Sequence, residues 1–176
     1  KYDVVTVHGV PYMAADDLER LSKTQIVINP SYLSPHAYRV FAQVDPEHNW
    51  KGVIDSSYDV LQKSIEQPLD KSISAYIPAN WVVLSPTTGA ITAAPDIAKL
   101  DTNFGYDAIR VPFRLALDYQ WNKDQRSLLM LIKMAFLSSE WRSNESLHAL
   151  YAHDGTTIST YESPAVYGAT MGYFMY

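Results

Sequence analysis

The chain has 176 residues, of which 47% are hydrophobic, so it can build one domain with a buried core. Its formal net charge is −5, from 14 basic and 19 acidic residues. This argues against nucleic acid or an anionic membrane as a partner, because both require a basic surface. The absence of cysteine excludes disulfides, thiol catalysis and thiolate metal sites.

The first segments alternate between extended and helical patterns. Residues 1–10 alternate weakly between polar and apolar side chains, which indicates a short strand or an extended arm that ends at Pro11. Residues 14–22 predict a short helix with two aspartates in its first turn, where negative charge suits the helix dipole. Residues 25–28 are apolar and are expected to be extended.

Two longer helices are predicted next. Ser34 and Pro35 mark a helix start, since a capping hydroxyl is followed by proline at the first position. This helix is expected to run to about Gln43. Apolar residues spaced by three and four over residues 50–65 predict a second helix, which ends before Pro68.

A small β-hairpin is predicted in the middle of the chain. Residues 81–84 and 90–92 are apolar and rich in β-branched side chains, and they flank a Pro-Thr-Thr-Gly turn at residues 86–89. The remaining organisation is helix after helix joined by loops, with this hairpin as its one small β excursion.

Three further elements are predicted after residue 122. Asp124 is expected to cap a helix, residues 147–152 predict another short helix, and residues 154–155 predict a turn. The Ser-Pro pair at residues 163–164 predicts a last helix that runs to Tyr176. The buried side of the helix after Asp124 is expected to consist of Leu128, Leu131, Ile132, Ala135 and Phe136.

The segment from residue 106 to residue 121 is the most informative. Counted as a helix at about 100° per residue, it places four charged side chains on one narrow stripe of an otherwise apolar surface: Asp107, Arg110, Arg114 and Asp118. Because buried charges are costly unless they are paired, we expect them to pair in a cleft that needs fixed charge. Arg114 and Asp118, one turn apart, predict a structural ion pair.

Pro112 leaves two alternatives for the start of this helix. Either the helix is kinked at Pro112, or regular helix begins near Val111, and in the second case Asp107 leaves the charged stripe. Judged by residue type alone, Asp107 is a good cap for the following helix, since aspartate is a preferred cap residue.

Two motifs carry a resemblance to a known family. The first is Tyr-Asp-Ala-x-Arg-Val-Pro-aromatic-Arg at residues 106–114, and the second is Asn-Pro-Ser-Tyr-Leu-Ser-Pro at residues 29–35. In this order they resemble glycoside hydrolase family 8, which includes endo-glucanases (cellulases), chitosanases and xylan-cleaving enzymes. The resemblance extends from about residue 28 to about residue 124, and other matching positions are Ala37, Tyr38, Arg39, Phe41, Ala42, Trp50, Ser57, Tyr58, Asp118, Tyr119 and Trp121.

The resemblance implies a fold and an extent. The expected fold is all-α, part of an (α/α)6 barrel of six helical hairpins around a sugar-binding groove, with the hairpin at residues 81–92 as a small β insertion. The general-acid glutamate and the aspartate-rich sugar-binding motif expected upstream are missing from this sequence. Residues 1–176 are therefore interpreted as a single domain that is the C-terminal half of a larger catalytic domain.

The resemblance also assigns site residues. Asp107 matches the general base, and Tyr32 matches a ring that helps this base to hold the attacking water. Tyr106 and Arg110 match positions near the bound sugar, and Arg110 is expected to favour the ionised form of Asp107. Inverting hydrolysis uses two carboxyl groups about 6.5–9.5 Å apart, one as acid and one as base.

Some of these residues have plainer interpretations. Asn29 and Ser31 are polar turn residues that can simply fix the turn before the helix at Pro35. Trp81 and Trp121 can stack on sugars, but core packing is the favoured interpretation of each. The five histidines are scattered, so no metal site is expected, and no cofactor is implied.

The resulting hypothesis is a secreted or extracellular glycoside hydrolase that cleaves a β-1,4-linked polysaccharide or oligosaccharide with inversion, with endo-glucanase as the favoured activity. Because the general acid is not in this sequence, the activity of the chain by itself stays open. The alternatives are a non-catalytic helical module for glycan binding or assembly, an inactive piece of the enzyme, or a chain that pairs with the missing N-terminal half. Neither nucleic acid nor a membrane is expected as a partner.

Overall fold

The computed structural model describes residues 3–17, 23–94 and 100–176. These residues contain six α-helices and two short 3-10 helices, at Pro30–Tyr32 and Tyr173–Met175. The α-helices are α1 (Pro35–Val44), α2 (Trp50–Glu66), α3 (Arg110–Asn122), α4 (Gln125–Lys133), α5 (Ala135–Asn144) and α6 (Pro164–Thr170). In this part of the chain no helix has both the length and the apolar character needed to cross a bilayer.

Seven short strands form three antiparallel sheets, which pair β1 with β2, β3 with β4 and β5, and β6 with β7. The expected helical fold with a small β-hairpin is confirmed in part: the helices contain more residues than the strands and the hairpin is present, but two further small sheets accompany it. The strands are β1 (Val4–Val7), β2 (Val10–Met13), β3 (Ile26–Ile28), β4 (Val82–Leu84), β5 (Ile91–Ala93), β6 (His148–Tyr151) and β7 (Thr157–Glu162).

The predicted positions of helices α1 and α2 are confirmed, but the hydroxyl of Ser34 does not cap α1, since it accepts a hydrogen bond from Arg114 instead. Proline occupies the first turn of α1, and the side chain of Asn49 caps α2 by accepting a hydrogen bond of 2.9 Å from the amide of Gly52. The residues of α2 that are spaced by three and four are buried, as the periodicity predicts.

Helix α3 begins at Arg110, which decides between the two alternatives at Pro112. Pro112 is the third residue of the helix, where a backbone amide has no partner within the helix, so proline removes no hydrogen bond and no kink is needed. Asp107 consequently lies before the helix and outside the charged stripe.

The short strand predicted within residues 1–10 is confirmed as β1, but Pro11 does not end the extended segment. The chain turns back after Val7 into β2 through a two-residue loop, with positive φ angles of 51° at His8 and 81° at Gly9. Pro11 is accommodated in β2 because a two-stranded sheet consists only of edge strands. Residues 147–152 form strand β6 and not a helix, since their burial alternates with a period of two.

The helix predicted after Asp124 is split in two. Asp124 does cap α4 by accepting a hydrogen bond of 2.9 Å from the amide of Arg126, as expected. Met134 then leaves helical geometry, with ψ of 35°, and its side chain is fully buried in the core, so α4 ends at Lys133 and α5 begins at Ala135. Ile132 and Ala135 are exposed as a result, contrary to the prediction.

The outcome for the remaining predicted elements is mixed. The hairpin at residues 81–92 is confirmed as β4 and β5, and the extended segment at residues 25–28 is confirmed as β3, which joins the same sheet. Helix α6 starts after Ser163 as predicted but ends at Thr170. The predicted helix at residues 14–22 is not helical up to residue 17, and the rest of it lies outside the described residues.

A buried carboxylate joins the four central helices. Asp118 in α3 is fully buried, and it accepts hydrogen bonds from Nε of Arg39 in α1 (3.0 Å) and from the hydroxyl of Tyr58 in α2. Burial and the hydrogen bond to Asp118 raise the pKa of Tyr58. Further donors are Nδ2 of Asn122 (2.8 Å) and Oγ of Ser127 in α4 (3.3 Å). The predicted pair of Arg114 with Asp118 is therefore wrong, because each partner is engaged elsewhere.

We predict that Asp118→Ala lowers the free energy of unfolding by about 3–5 kcal/mol, because it removes the buried acceptor shared by Arg39, Tyr58 and Asn122, and Arg39 keeps only its ion pair with Asp124. Urea denaturation measures this change. Asp59→Ala is the matched control, since Asp59 forms an exposed pair of 2.8 Å with Lys63 and its loss should cost less than about 1 kcal/mol. Equal losses in the two variants would contradict the role of Asp118.

A second prediction concerns pH. His153 is fully buried, its Nε2 donates to the carbonyl oxygen of Gln67 at 2.8 Å, and its Nδ1 has no partner. Burial lowers the pKa of His153, so the folded chain resists a proton that the unfolded chain accepts near pH 6.5. Stability is therefore expected to fall as the pH falls below about 6.5, with a slope of up to about 1.4 kcal/mol per pH unit from this group.

Urea denaturation of His153→Gln between pH 5 and pH 8 checks this expectation, since glutamine can donate a hydrogen bond but does not titrate. The slope of stability against pH should become smaller in this variant. Substitution of the exposed Gln43 by Ser is the control and should leave the slope unchanged, because neither side chain titrates. A slope that is the same in wild type and His153→Gln would refute the assignment.

Candidate functional site

The candidate site is built around the turn at residues 105–109, which leads into α3. Phe104 exchanges two backbone hydrogen bonds with Tyr151 in β6, at 2.8 and 3.1 Å, and this fixes the start of the turn. The amide of Ile109 donates to the carbonyl oxygen of Gly105 at 3.0 Å, so the turn passes directly into the helix. Tyr106 and Asp107 are thus held between a strand and a helix.

Asp107 lies at the surface with its charge balanced. Its side chain is 30% exposed and forms an ion pair with Arg110, whose Nε also donates to the carbonyl oxygen of Asp107 at 3.3 Å. The interpretation of Asp107 as a helix cap is wrong, because the capping position of α3 is Ile109 and no side chain caps it. The carboxylate remains accessible to a water molecule or a ligand.

Tyr32 is held at the surface by its backbone. It ends the 3-10 helix at Pro30–Tyr32, where Oδ1 of Asn29 accepts hydrogen bonds from the amide of Ser31 (3.0 Å) and from its hydroxyl (2.7 Å). The prediction that Asn29 and Ser31 fix this turn is confirmed. The hydroxyl of Tyr38 donates to the carbonyl oxygen of Tyr32 at 3.2 Å, which leaves the exposed ring of Tyr32 free to face a ligand.

Arg114 ties the Tyr32 segment to α3. Its Nε donates to the carbonyl oxygen of Ser31, and its Nη1 donates to the hydroxyl of Ser34. Burial lowers the pKa of Arg114, but a guanidinium remains charged in any accessible pH range. One helix therefore carries the turn with Asp107 at its start and anchors the segment with Tyr32 along its side.

Arg110 brings Tyr32 and Asp107 to one surface. Its guanidinium carbon lies 5.8 Å from the ring centroid of Tyr32, while its Nη2 contacts Asp107. Trp81 meets the same tyrosine ring edge-on, with a centroid distance of 6.1 Å and an interplanar angle of 77°. The structure thus brings together three of the four predicted site residues through direct contacts.

The tryptophans have different positions. Trp81 is half-buried and packs against a small cluster that includes Val27 and Val83, so the core interpretation holds for it. Trp121 is 62% exposed, which contradicts core packing. It lies eleven residues after Arg110 on α3, about 16 Å away at the rise of a helix, so it is not part of this site.

Tyr106, the fourth predicted residue, pairs with a tyrosine that sequence reasoning missed. Its hydroxyl lies 3.2 Å from that of Tyr161 in β7, and both rings are exposed. This hydrogen bond lowers the pKa of Tyr106 and raises the pKa of Tyr161. The Asp-Gly turn at residues 154–155, followed by the Thr- and Ile-rich residues 156–160, was the sequence signal that could have revealed the hairpin and hence the position of Tyr161.

The site is an open surface of exposed rings and charges. Cavities of about 170 to 340 Å³ lie elsewhere, for example between α2 and α4, where Asp59, Arg126 and Lys133 line one of 340 Å³. Within residues 3–17, 23–94 and 100–176, no group of three or more histidine, aspartate or glutamate side chains is placed to hold a metal ion.

Solved structures of glucanases share this fold. The endo-1,4-D-glucanase from Vibrio fischeri ES114 superimposes with a TM-score of 0.76 at 16% identity, over 97% of this chain and 46% of that chain. The β-1,3-1,4-glucanase from Paenibacillus sp. X4 gives a TM-score of 0.76 at 22% identity, over 93% of this chain and 43% of that chain. The chain therefore shares the fold of the matching part of these two glucanases, and it spans less than half the length of either.

The chain belongs to glycosyl hydrolases family 8, whose family model matches residues 1–174. Endoglucanase A of Acetivibrio thermocellus is 31% identical over 101 residues, which are 57% of this chain and 19% of that protein. An endoglucanase of Bacillus sp. is 28% identical over 131 residues, which are 73% of this chain and 27% of that protein. The chain thus spans only a fraction of these curated relatives.

We predict that Arg114→Lys lowers the free energy of unfolding by about 1.5–3 kcal/mol, because a lysine ammonium cannot replace the two divergent guanidinium donors to Ser31 and Ser34. Urea denaturation gives the value. Arg142→Lys is the matched control, since Arg142 is exposed on α5 and its loss should change stability by less than about 0.5 kcal/mol. A stable Arg114→Lys variant would show that other contacts hold the Tyr32 segment.

Proposed function

We propose that this chain provides the general-base side of an inverting glycoside hydrolase that acts on a β-1,4-linked polysaccharide, with endo-glucanase as the specific activity. The observation that supports this proposal best is the arrangement of Asp107, Arg110 and Tyr32 on one accessible surface. Family membership supports the reaction class, and the names of the endoglucanase relatives support the substrate.

In the proposed reaction, Asp107 takes a proton from a water molecule that the hydroxyl of Tyr32 helps to orient. The water oxygen attacks the anomeric carbon, the glycosidic bond breaks on the opposite face, and a carboxylic acid protonates the leaving oxygen. Arg110 forms an ion pair with Asp107 and holds its carboxylate in position. The geometry requires the acid about 6.5–9.5 Å from Asp107, across the bound sugar.

The general acid is proposed to be a glutamate outside these 176 residues. The family resemblance assigns only one carboxylate of the pair, Asp107, to this sequence. We therefore infer that the described helices form the C-terminal half of an (α/α)6 barrel, and that the other half supplies the acid. The superpositions over 43–46% of the two glucanase chains support this division.

Exposed aromatic rings are proposed to bind the polysaccharide. Tyr32, Tyr106 and Tyr161 present flat rings with polar tips, which suit the apolar faces and polar rims of sugars. The guanidinium of Arg110 adds hydrogen-bond donors for hydroxyl groups. A polymer substrate favours a secreted or extracellular enzyme, which we include in the proposal.

A second candidate function is a non-catalytic helical module that binds glycan or serves in a larger assembly. It is favoured by the assignment of only one catalytic carboxylate to this sequence. The two functions differ once the second carboxyl group is present: the proposed enzyme then cleaves the polysaccharide, whereas a module binds it and does not cleave it.

We predict that Asp107→Asn lowers the kcat of the natural gene product on carboxymethyl-cellulose by about 10²–10⁴-fold, the usual contribution of a general base. Stability should change by less than about 1 kcal/mol, because the lost ion pair is partly exposed. Reducing-sugar release on carboxymethyl-cellulose, chitosan and xylan measures activity and compares substrates. Asp59→Asn is the control and should keep full activity.

Two results would overturn the proposal. Activity that survives Asp107→Asn would remove its role as base. NMR of the first products must show the α-anomer from a β-linked substrate, and initial formation of the β-anomer would exclude inversion. Binding without cleavage, by both the natural gene product and this chain, would instead favour the module.

A further inference from the structure

We propose that Asn80 and Trp81 are positioning residues. Together they fix the position of Asp107, the candidate base, relative to Tyr32, its candidate partner. The proposal rests on the function proposed for Asp107 and Tyr32. Neither Asn80 nor Trp81 is placed in contact with the reacting atoms. They act through two separate contacts made by two consecutive side chains, one to each side of the site.

Asn80 holds the turn that carries Asp107. Its side chain is buried, with the residue only 7% exposed, and its Oδ1 accepts hydrogen bonds from the amides of Gly105 (3.3 Å) and Ala108 (2.9 Å). These amides lie on either side of Tyr106 and Asp107, so one amide oxygen holds both ends of the dipeptide. Nδ2 of Asn80 donates to Oδ1 of Asp101 at 2.8 Å, which fixes the orientation of the amide group.

The turn packs closely on this amide. A Cβ atom at Gly105 would lie 3.2 Å from Nδ2 of Asn80 and 2.6 Å from Cδ1 of Leu150, so a larger residue here would displace both side chains. The backbone amide of Asn80 donates to the carbonyl oxygen of Asn103 at 2.8 Å. Asn80 is therefore tied to the segment before the turn as well as to the turn itself.

Trp81 holds the other side of the site. Its ring meets the ring of Tyr32 edge-on. The guanidinium of Arg110 contacts the same tyrosine ring, so Tyr32 is held by two neighbours. The sheet explains this proximity: Val82 pairs with Ile28 between β4 and β3, so the residues just before β4 lie beside those just after β3. Edge-to-face contacts of this type orient a ring more than they add area.

Loss of these contacts is expected to lower the rate, because general-base catalysis depends on the position of the Asp107 carboxylate. Without the side chain of Asn80, two amides in a buried turn lose their acceptor, and the turn is expected to shift or open. A displacement of about 1 Å can lower a catalysed rate by about 100-fold. The effect would pass through Asp107 and would not require any contact between Asn80 and sugar.

The first test needs no activity. Hydrogen exchange of the Ala108 amide in this chain is expected to become at least about tenfold faster in Asn80→Ala, since a buried hydrogen bond is worth about one such factor. Asn49→Ala is the matched control, because it also removes an asparagine that accepts from a backbone amide, at 2.9 Å from Gly52, but at the start of α2. Unchanged exchange at Ala108 in Asn80→Ala would overturn the proposal.

The second test uses the natural gene product and carboxymethyl-cellulose. Asn80→Ala is expected to lower kcat by about 100-fold and to change KM by less than about threefold, whereas Asn49→Ala should lower neither. In the Asp107→Asn background, Asn80→Ala should cost less than about threefold, because the base that it positions is already lost. An equal loss in both backgrounds would mean a general structural role and would overturn the proposal.

Trp81 supplies a variant pair that remains informative if Asn80→Ala does not fold. Trp81→Phe keeps an aromatic edge against Tyr32 and should keep kcat within about threefold, whereas Trp81→Leu should lower it by about tenfold. Equal activities of the two variants would overturn the role of Trp81. If Asp107→Asn itself keeps activity, the proposed role of Asp107 as general base is wrong. Amide exchange at Ala108 still reports whether Asn80 holds the turn.

Discussion

The buried carboxylate of Asp118 is the constraint on which the rest of the described structure depends. A charge in that position is tolerated only when its partners are complete, and the partners come from α1, α2 and α4 as well as from α3 itself. The four helices must therefore meet in one arrangement to satisfy one side chain. Burial of apolar side chains stabilises the fold in general. The need to place every hydrogen-bond donor around Asp118 selects this particular arrangement of the helices.

Helix α3 positions the residues of the candidate site. Its first residue, Arg110, balances Asp107, its fifth, Arg114, anchors the segment that ends in Tyr32, and its ninth, Asp118, is locked into the helix cluster. These residues are spaced by four, so they project from one face of the helix. The part of the charged stripe that lies on α3 therefore links the candidate site to the core: Arg110 lies at the site, and Asp118 is buried among the helices.

Much of this could be predicted from the sequence, and the failures have physical causes. Local signals gave α1, α2 and the Asp124 cap, because caps and periodicity act over a few residues. Strands β6 and β7 were missed because Ala149 and Leu150 favour a helix by intrinsic propensity, whereas a strand there depends on its cross-strand partner, and Tyr161 was missed with them. The predicted Arg114–Asp118 pair followed from helical spacing, but partners from other helices, which spacing cannot reveal, competed successfully.

The backbone bridge between Phe104 and Tyr151 has a consequence for folding order. It closes a loop of more than forty residues, and such long closures are entropically unfavourable and tend to form late. The segments around Tyr32 and α3 can assemble first, whereas the turn that presents Asp107 gains its final support only after the C-terminal hairpin has docked. During synthesis, the candidate site would therefore mature at the end, once the last third of this polypeptide has emerged.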